Sequence, residues 1–276
     1  MLKKLFRHEW KDTWVVGTVC AIVVVVLTII GMILFSLDIW SDSASRGDGA
    51  LAFTQSMVIV YFMLLIWGVI GAVCVIRYYF FYRYYKNLFT DHGYLMHTLP
   101  AKSTDLINAK LFVAIIWQYI SSLLVMLAIV GLMYSALGNI ASLTFHDFVK
   151  AVNELMRQMD WEAVMRAMPV IVSMVIYMLL APVFGILLMY AAIGVGQLSK
   201  KHKLLISVLI LLGFNMAVQT IAQLMVMPIN LGMWDRLPSM TSVNVISVVF
   251  LLVFIGATVG LYFANKYFVE KKLNLE

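Results

Sequence analysis

The sequence predicts an all-α integral membrane protein with six transmembrane helices, and three observations lead to that fold class. Hydrophobic residues make up 63% of the 276 residues and charged residues only 12%, about half of the roughly 25% that soluble domains contain. The apolar residues fall in six runs, each long enough to cross a bilayer as a helix. Lys and Arg residues lie mainly on alternate connections between these runs.

None of the six predicted spans contains Asp, Glu, Lys, Arg or His. The spans are 15–37, 51–76, 111–137, 169–198, 204–227 and 243–264. They make residues 1–276 a single transmembrane domain. Cys20 and Cys74 lie inside the first and second spans, so the sequence offers neither a disulfide framework nor the spacing of metal ligands.

The first 14 residues are amphipathic. Leu2, Leu5, Phe6, Trp10 and Trp14 share one face, and basic residues take the rest. A basic helix with tryptophan on its apolar side is typical of a helix in the membrane interface plane. Residues 1–14 therefore predict an N-terminal interfacial helix. The alternative is a frayed, charged start of the first span.

The connection after the third span predicts an external amphipathic helix over residues 144–166. Thr144 and Asp147 have the spacing of a capping box. The apolar residues that recur at helical spacing are Phe145, Phe148, Val149, Val152, Leu155, Met156 and Met159. This helix either lies flat on the outer leaflet or packs on the helix bundle, and a lid over a pocket is a third interpretation.

The distribution of basic residues predicts the orientation. Fifteen of the 20 Lys and Arg residues lie at the two termini, in the loop 77–110 and in the turn between spans four and five. By the positive-inside rule, both termini and the loop 77–110 are expected in the cytoplasm, with the chain in the cell membrane. The basic residues flank spans and form no contiguous patch, so no nucleic-acid partner is expected.

The loop 77–110 contains a short amphipathic pattern. Its apolar positions and their neighbours are Leu88, Phe89, His92, Leu95, Met96 and Leu99. Their spacing of three and four residues predicts one face of a helix. Gly93 weakens this helix by about 1 kcal/mol, and Pro100 ends it. Ser103 then predicts the start of a new helix, with Asp105 in its first turn.

The segment from Gly93 to Lys110 resembles the segment between the second and third spans of permease subunits of type-2 ABC exporters. The resembling residues are Gly93-Tyr94-Leu95, Leu99-Pro100, Asp105-Leu106-Ile107 and Ala109-Lys110. The chain departs from the commoner pattern with leucine before the proline and alanine before the final lysine. In that family the segment forms a coupling helix that docks on a separate ATPase.

The resemblance implies a set of ATPase-coupling residues in this chain. They are Leu88, Asp91, His92, Gly93, Tyr94, Leu95, Met96 and Leu99. It further implies two permease subunits, identical or of two types, paired with two cytosolic ATPase subunits that carry ATP and Mg. The cargo would be an amphipathic peptide, a drug or a lipid-like molecule. The plain alternative for the segment is a solvated loop with an interfacial helix.

The chain itself is not expected to be an enzyme or to hold a cofactor or metal. It lacks the Gly-x-x-x-x-Gly-Lys-[Ser/Thr] phosphate loop. Two other functions remain open, namely a membrane scaffold or sensor whose loop 77–110 binds a non-ATPase partner, and a secondary carrier. Ion-coupled carriers usually place ionisable residues within their spans, so the uncharged spans count against a carrier.

One polar stripe lies within an apolar span. Asn215, Gln219 and Gln223 recur every four residues on the fifth span and therefore share one helix face. Two interpretations are open. The amides form hydrogen bonds between helices, at about 0.6 kcal/mol per contact, or they line the substrate path.

Overall fold

A computed structural model describes residues 2–35, 48–89, 103–140, 145–199, 202–230 and 239–271. Within these ranges the chain forms seven α-helices. They are α1 (Leu2–Phe35), α2 (Asp48–Phe89), α3 (Ser103–Ile140), α4 (Phe145–Gln158), α5 (Trp161–Gly196), α6 (Lys203–Asn230) and α7 (Ser239–Lys271). All except α4 include a stretch long and apolar enough to cross a membrane. The predicted all-helical architecture with six potential spans is therefore confirmed.

The separate interfacial helix predicted at residues 1–14 is not confirmed. α1 runs without a break from Leu2 to Phe35, because no glycine or proline precedes Gly17 and adding residues to an existing helix is favourable. The tryptophans assigned to the interfacial face pack on α3 instead. Trp10 stacks on Trp117 at a centroid distance of 5.3 Å, and Trp14 meets the same ring edge-on at 6.0 Å.

Two other connections also differ from the prediction. α2 continues to Phe89, well into the loop 77–110, and α3 begins at Ser103 with Asp105 in its first turn, as predicted. The predicted external helix 144–166 is divided between α4 and α5. The division falls at Asp160, whose carboxylate accepts a hydrogen bond from the Glu162 amide at 3.0 Å and so caps the start of α5.

The chain divides into two compact units. The first unit comprises Met1–Glu9, Tyr79–Ile115 and Asp160–Glu276, and the second comprises Trp10–Tyr78 and Ile116–Met159. The first unit thus contains both described ends of the loop 77–110 together with α5, α6 and α7. The second contains α4 and the remaining parts of α1, α2 and α3.

In the second unit, α1, α2 and α3 pack through small apolar clusters. Val24, Val69 and Ala128 form one buried cluster, and Leu65 with Leu132 forms another. Glycine permits the close contact between α1 and α3, since a Cβ at Gly17 would lie 2.5 Å from the ring of Trp117. A larger side chain at this position requires the tryptophan to move.

In the first unit, α5 packs against both α6 and α7. Residues 185–194 of α5 are buried without interruption. Asn265 of α7 is 1% exposed and donates its Nδ2 hydrogen to the Leu187 carbonyl at 2.9 Å. A Cβ at Gly196 would lie 2.8 Å from the Cα of Ser207 on α6, so the two backbones approach closely only because this residue is glycine.

Candidate functional site

A buried cluster of three charged side chains joins α1, α2 and α3 in the first unit. Glu9 accepts hydrogen bonds at Oε2 from Nη2 of Arg83 at 2.9 Å and from its Nε at 3.3 Å. The other carboxylate oxygen, Oε1, accepts from Nζ of Lys110. One carboxylate thus bridges a cation from the end of α2 and a cation from the start of α3. We call these three residues the ion cluster.

All three side chains of the ion cluster are largely removed from solvent. The exposed fraction is 9% for Glu9, 15% for Arg83 and 5% for Lys110. Two cations share one carboxylate, so the cluster carries a formal charge of +1. Buried ion pairs contribute little net stability compared with apolar packing, but removing one partner strands an uncompensated charge. The cluster therefore imposes a defined mutual position on the three helices that supply it.

Aromatic residues enclose the ion cluster. Tyr84 and Tyr190 stack face to face, with ring centroids 3.6 Å apart and planes 7° from parallel. Arg83 donates from Nη1 to the hydroxyl of Tyr79 at 3.2 Å. A cavity of about 10 Å³, the space of about one water molecule, borders the cluster. The residues that line it are Glu9, Phe80, Arg83, Tyr84, Lys110, Val113 and Tyr190.

Helical periodicity explains why Arg83 and Lys110 reach the interior. Phe80, Tyr84 and Leu88 are buried and spaced four residues apart, so they form a continuous inner face on α2. Arg83 follows Phe80 by three residues and lies beside that face. Lys110 follows the buried Ile107 by three residues on α3, so its side chain also starts from the inner face of its helix.

The predicted coupling residues fall into two groups. Leu88 is 0% exposed within this chain, and its coupling role stays a prediction. It belongs to the inner face of α2, where it packs within this chain. The remaining seven lie outside the described residues, and their coupling role stays a prediction. They are Asp91, His92, Gly93, Tyr94, Leu95, Met96 and Leu99.

The polar stripe on the fifth span lies on α6. Asn215 is partly buried and donates its Nδ2 hydrogen to the Leu211 carbonyl of the same helix at 2.8 Å. Gln219 and Gln223 are exposed at the surface of the chain. Within the described part of the chain, no residue buries these two side chains. Their proposed role on the substrate path stays a prediction.

Sequence reasoning missed the ion cluster. Arg83 counted only as a basic residue that sets the orientation. Lys110 counted as such a residue and as the end of the segment that resembles the permease family, and Glu9 and Tyr190 carried no assignment. The signal that could have identified Glu9 is its setting, an acidic residue beside Trp10 in a mainly basic segment. The signal for Arg83 is its place within a run of aromatic residues.

Among the described residues, no group of three His, Cys, Asp or Glu side chains is arranged to hold a metal ion. No family model matches the sequence, and no curated protein or solved structure matches it. The class of the protein therefore rests on its architecture alone. Its described part contains six helices with the length and composition of membrane spans, which define a multi-pass α-helical membrane protein.

Proposed function

We propose that the chain is the membrane-spanning permease subunit of an ATP-driven ABC exporter. Its N-terminus and the loop 77–110 face the cytoplasm, and a separate ATPase subunit binds the middle of that loop. A second permease, identical or different, completes the membrane part of the complex. ATP and Mg bind on the partner ATPase, and the cargo is an amphipathic peptide, drug or lipid-like molecule.

The ion cluster is the observation that carries this proposal. Arg83 lies six residues before the end of α2, and Lys110 lies seven residues after the start of α3. Glu9 links both to α1, so the two ends of the loop are fixed to a third helix. Because both ends are fixed, a displacement of the middle of the loop is transmitted to three helices instead of being absorbed where the loop begins. A coupling element requires ends that are fixed to the transmembrane helices in this way.

The remaining features support transport over catalysis. Long apolar helices with exposed apolar side chains suit a lipid environment. The ion cluster lies outside the predicted spans. Arg83 and Lys110 lie near the helix ends that flank the loop 77–110, and Glu9 lies near the start of α1. Gln219 and Gln223, exposed on α6, are the candidates for contact with cargo or with the second permease.

The direct test is co-purification from native membranes, followed by reconstitution in lipid vesicles. We expect a P-loop ATPase to remain bound to the chain and its ATP hydrolysis to rise on assembly. Leu95→Asp should abolish this stimulation while leaving the chain in the membrane, because a charge buried against the ATPase surface costs several kcal/mol. Gly93→Pro should act in the same way by breaking the predicted helix.

Lys201→Asp is the matched control, since it places the same acidic group in the turn between α5 and α6. It should leave ATPase stimulation unchanged. A partner that does not hydrolyse nucleotide would favour the scaffold or sensor function instead. Wild-type stimulation and transport in both loop variants would show that the loop 77–110 is not the coupling element.

A further inference from the structure

Helix α4 is sharply divided into an apolar and a polar face. On a helical projection at 100° per residue, its large apolar residues fall within one arc of about 120°. The residues in that arc are Phe145, Phe148, Val149, Val152, Leu155 and Met156. The opposite arc contains His146, Asp147, Lys150, Asn153, Glu154 and Arg157.

The described side chains of the apolar face do not pack into the chain. Leu155 is 65% exposed and Met156 47% exposed, and Val149 and Val152 are exposed as well. Lys150 and Glu154 on the polar face are also exposed. One interpretation of the sequence is that α4 packs on the helix bundle. Such packing would bury the apolar face, and these exposed fractions argue against it.

Chain connectivity holds α4 near the membrane surface. Only residues 141–144 separate it from α3, and only Met159 and Asp160 separate it from α5. Both neighbouring helices are able to span a membrane. Four extended residues reach at most about 14 Å, so both ends of α4 lie close to the level at which its neighbours leave the bilayer.

We infer that α4 lies in the lipid interface on the side of the membrane opposite the loop 77–110, with its apolar face among the acyl chains. Trp161 at the start of α5 is 57% exposed, as expected for an aromatic residue at headgroup level. A free helix of 14 residues is marginal in water, but attachment at both ends raises the effective concentration of α4 at the surface. Burial of a modest apolar area is then sufficient to keep α4 at the membrane surface.

A second protein surface fits the apolar face of α4 less well. The face is about 21 Å long and about 10 Å wide, hence roughly 200 Å², whereas a stable interface buries about 800 Å² per partner.

The polar face of α4 lacks a net charge, since Lys150 and Arg157 balance Asp147 and Glu154. Association with lipid should therefore not require anionic headgroups.

Spin-label accessibility tests this inference in the full-length chain. Cys20 and Cys74 are replaced by alanine, and single cysteines at positions 149–158 are labelled in turn. The chain is then placed in phosphatidylcholine vesicles. Collision with oxygen, which partitions into lipid, should exceed collision with a water-soluble nickel chelate severalfold at positions 152 and 155. At positions 150 and 154 the order should reverse, giving two profiles with a 3.6-residue period and opposite phase.

Val152→Glu and Asn153→Glu form a matched pair, since only the first places the new charge on the apolar face. With the label at position 155, Val152→Glu should reduce oxygen collision severalfold and Asn153→Glu should not. Low collision with both reagents at 152 and 155 would mean that protein covers the face. High nickel collision at every position would mean that water covers it. Either result, or a requirement for phosphatidylglycerol, overturns the inference, and none of these results depends on whether an ATPase binds the chain.

Discussion

Glu9→Gln should destabilise the folded chain more than any other single change in the ion cluster. Glutamine keeps the size and shape of glutamate but removes the carboxylate charge that Arg83 and Lys110 share. Two cations would then face each other at sites that are 15% and 5% exposed. Removing one partner of a buried ion pair costs about 3–5 kcal/mol, which corresponds to a fall in melting temperature on the order of 10 °C.

Lys110→Met provides the comparison that isolates the electrostatic cause. Methionine fills much of the same volume, and the variant leaves Glu9 paired with Arg83 as a neutral couple. Loss of the charge-assisted hydrogen bond to Glu9 should cost about 1.5–3 kcal/mol. In the double variant the second buried cation is absent, so the combined loss should be smaller than the two single losses added together.

The assay is thermal unfolding of the purified chain in detergent, followed by tryptophan fluorescence and by light scattering for aggregation. Helical content before heating controls for misfolded preparations. If Lys110→Met lowers the melting temperature as much as Glu9→Gln, the excess positive charge of the ion cluster has no energetic effect. A strictly additive double variant would show that the two side chains do not interact through the carboxylate.

Four further predictions concern particular positions. Gly196→Ala should lower stability by about 1–3 kcal/mol because the added Cβ meets backbone. Gly256→Ala should be nearly neutral in thermal unfolding, since no described atom lies within 4 Å of its Cβ position. Gln219→Leu should alter transport or drug resistance while melting stays unchanged, because its amide is exposed on α6, and a sharp fall in melting with normal transport would make it a structural contact. A cysteine in place of Lys150 should react with an impermeant reagent added outside intact cells, and a cysteine in place of Lys102 should not. The distribution of basic residues predicts that the loop 77–110 is internal, so external labelling at position 102 would show that the chain has the opposite orientation.

The features that the sequence predicted correctly are local ones. Span existence depends on the length and composition of single apolar runs, and the start of α3 at Ser103 depends on a few neighbouring residues. The division of the predicted helix 144–166 was also locally encoded, because an Asp followed by an acidic first turn signals a helix start. Asp160 lies inside the predicted helix 144–166, and its capping role is incompatible with one continuous helix through that position.

Sequence periodicity does not show which surface covers an apolar face, as Trp10 and Trp14 illustrate by packing on Trp117 of α3. Periodicity placed Leu88 on an apolar face, but it does not indicate whether that face meets a partner protein or the rest of the chain. The ion cluster is harder still to predict from the sequence, because Glu9 is separated from Arg83 by 74 residues and from Lys110 by 101. No pattern within one helix links side chains at that distance along the chain.

The place of the ion cluster follows from the way helices associate in lipid. Apolar side chains gain little by leaving lipid for one another, so apolar contact alone specifies the relative position of two spans weakly. A carboxylate that bridges two cations specifies it strongly, because few arrangements satisfy all three groups. Such a cluster is tolerated at the ends of spans, where side chains reach the interface. Under the proposed function, substitutions in the cluster should change both stability and coupling, because the cluster lies beside the loop 77–110. Substitutions at Leu95 should change coupling alone, and this contrast separates the fixed ends of the loop from the proposed ATPase-binding segment.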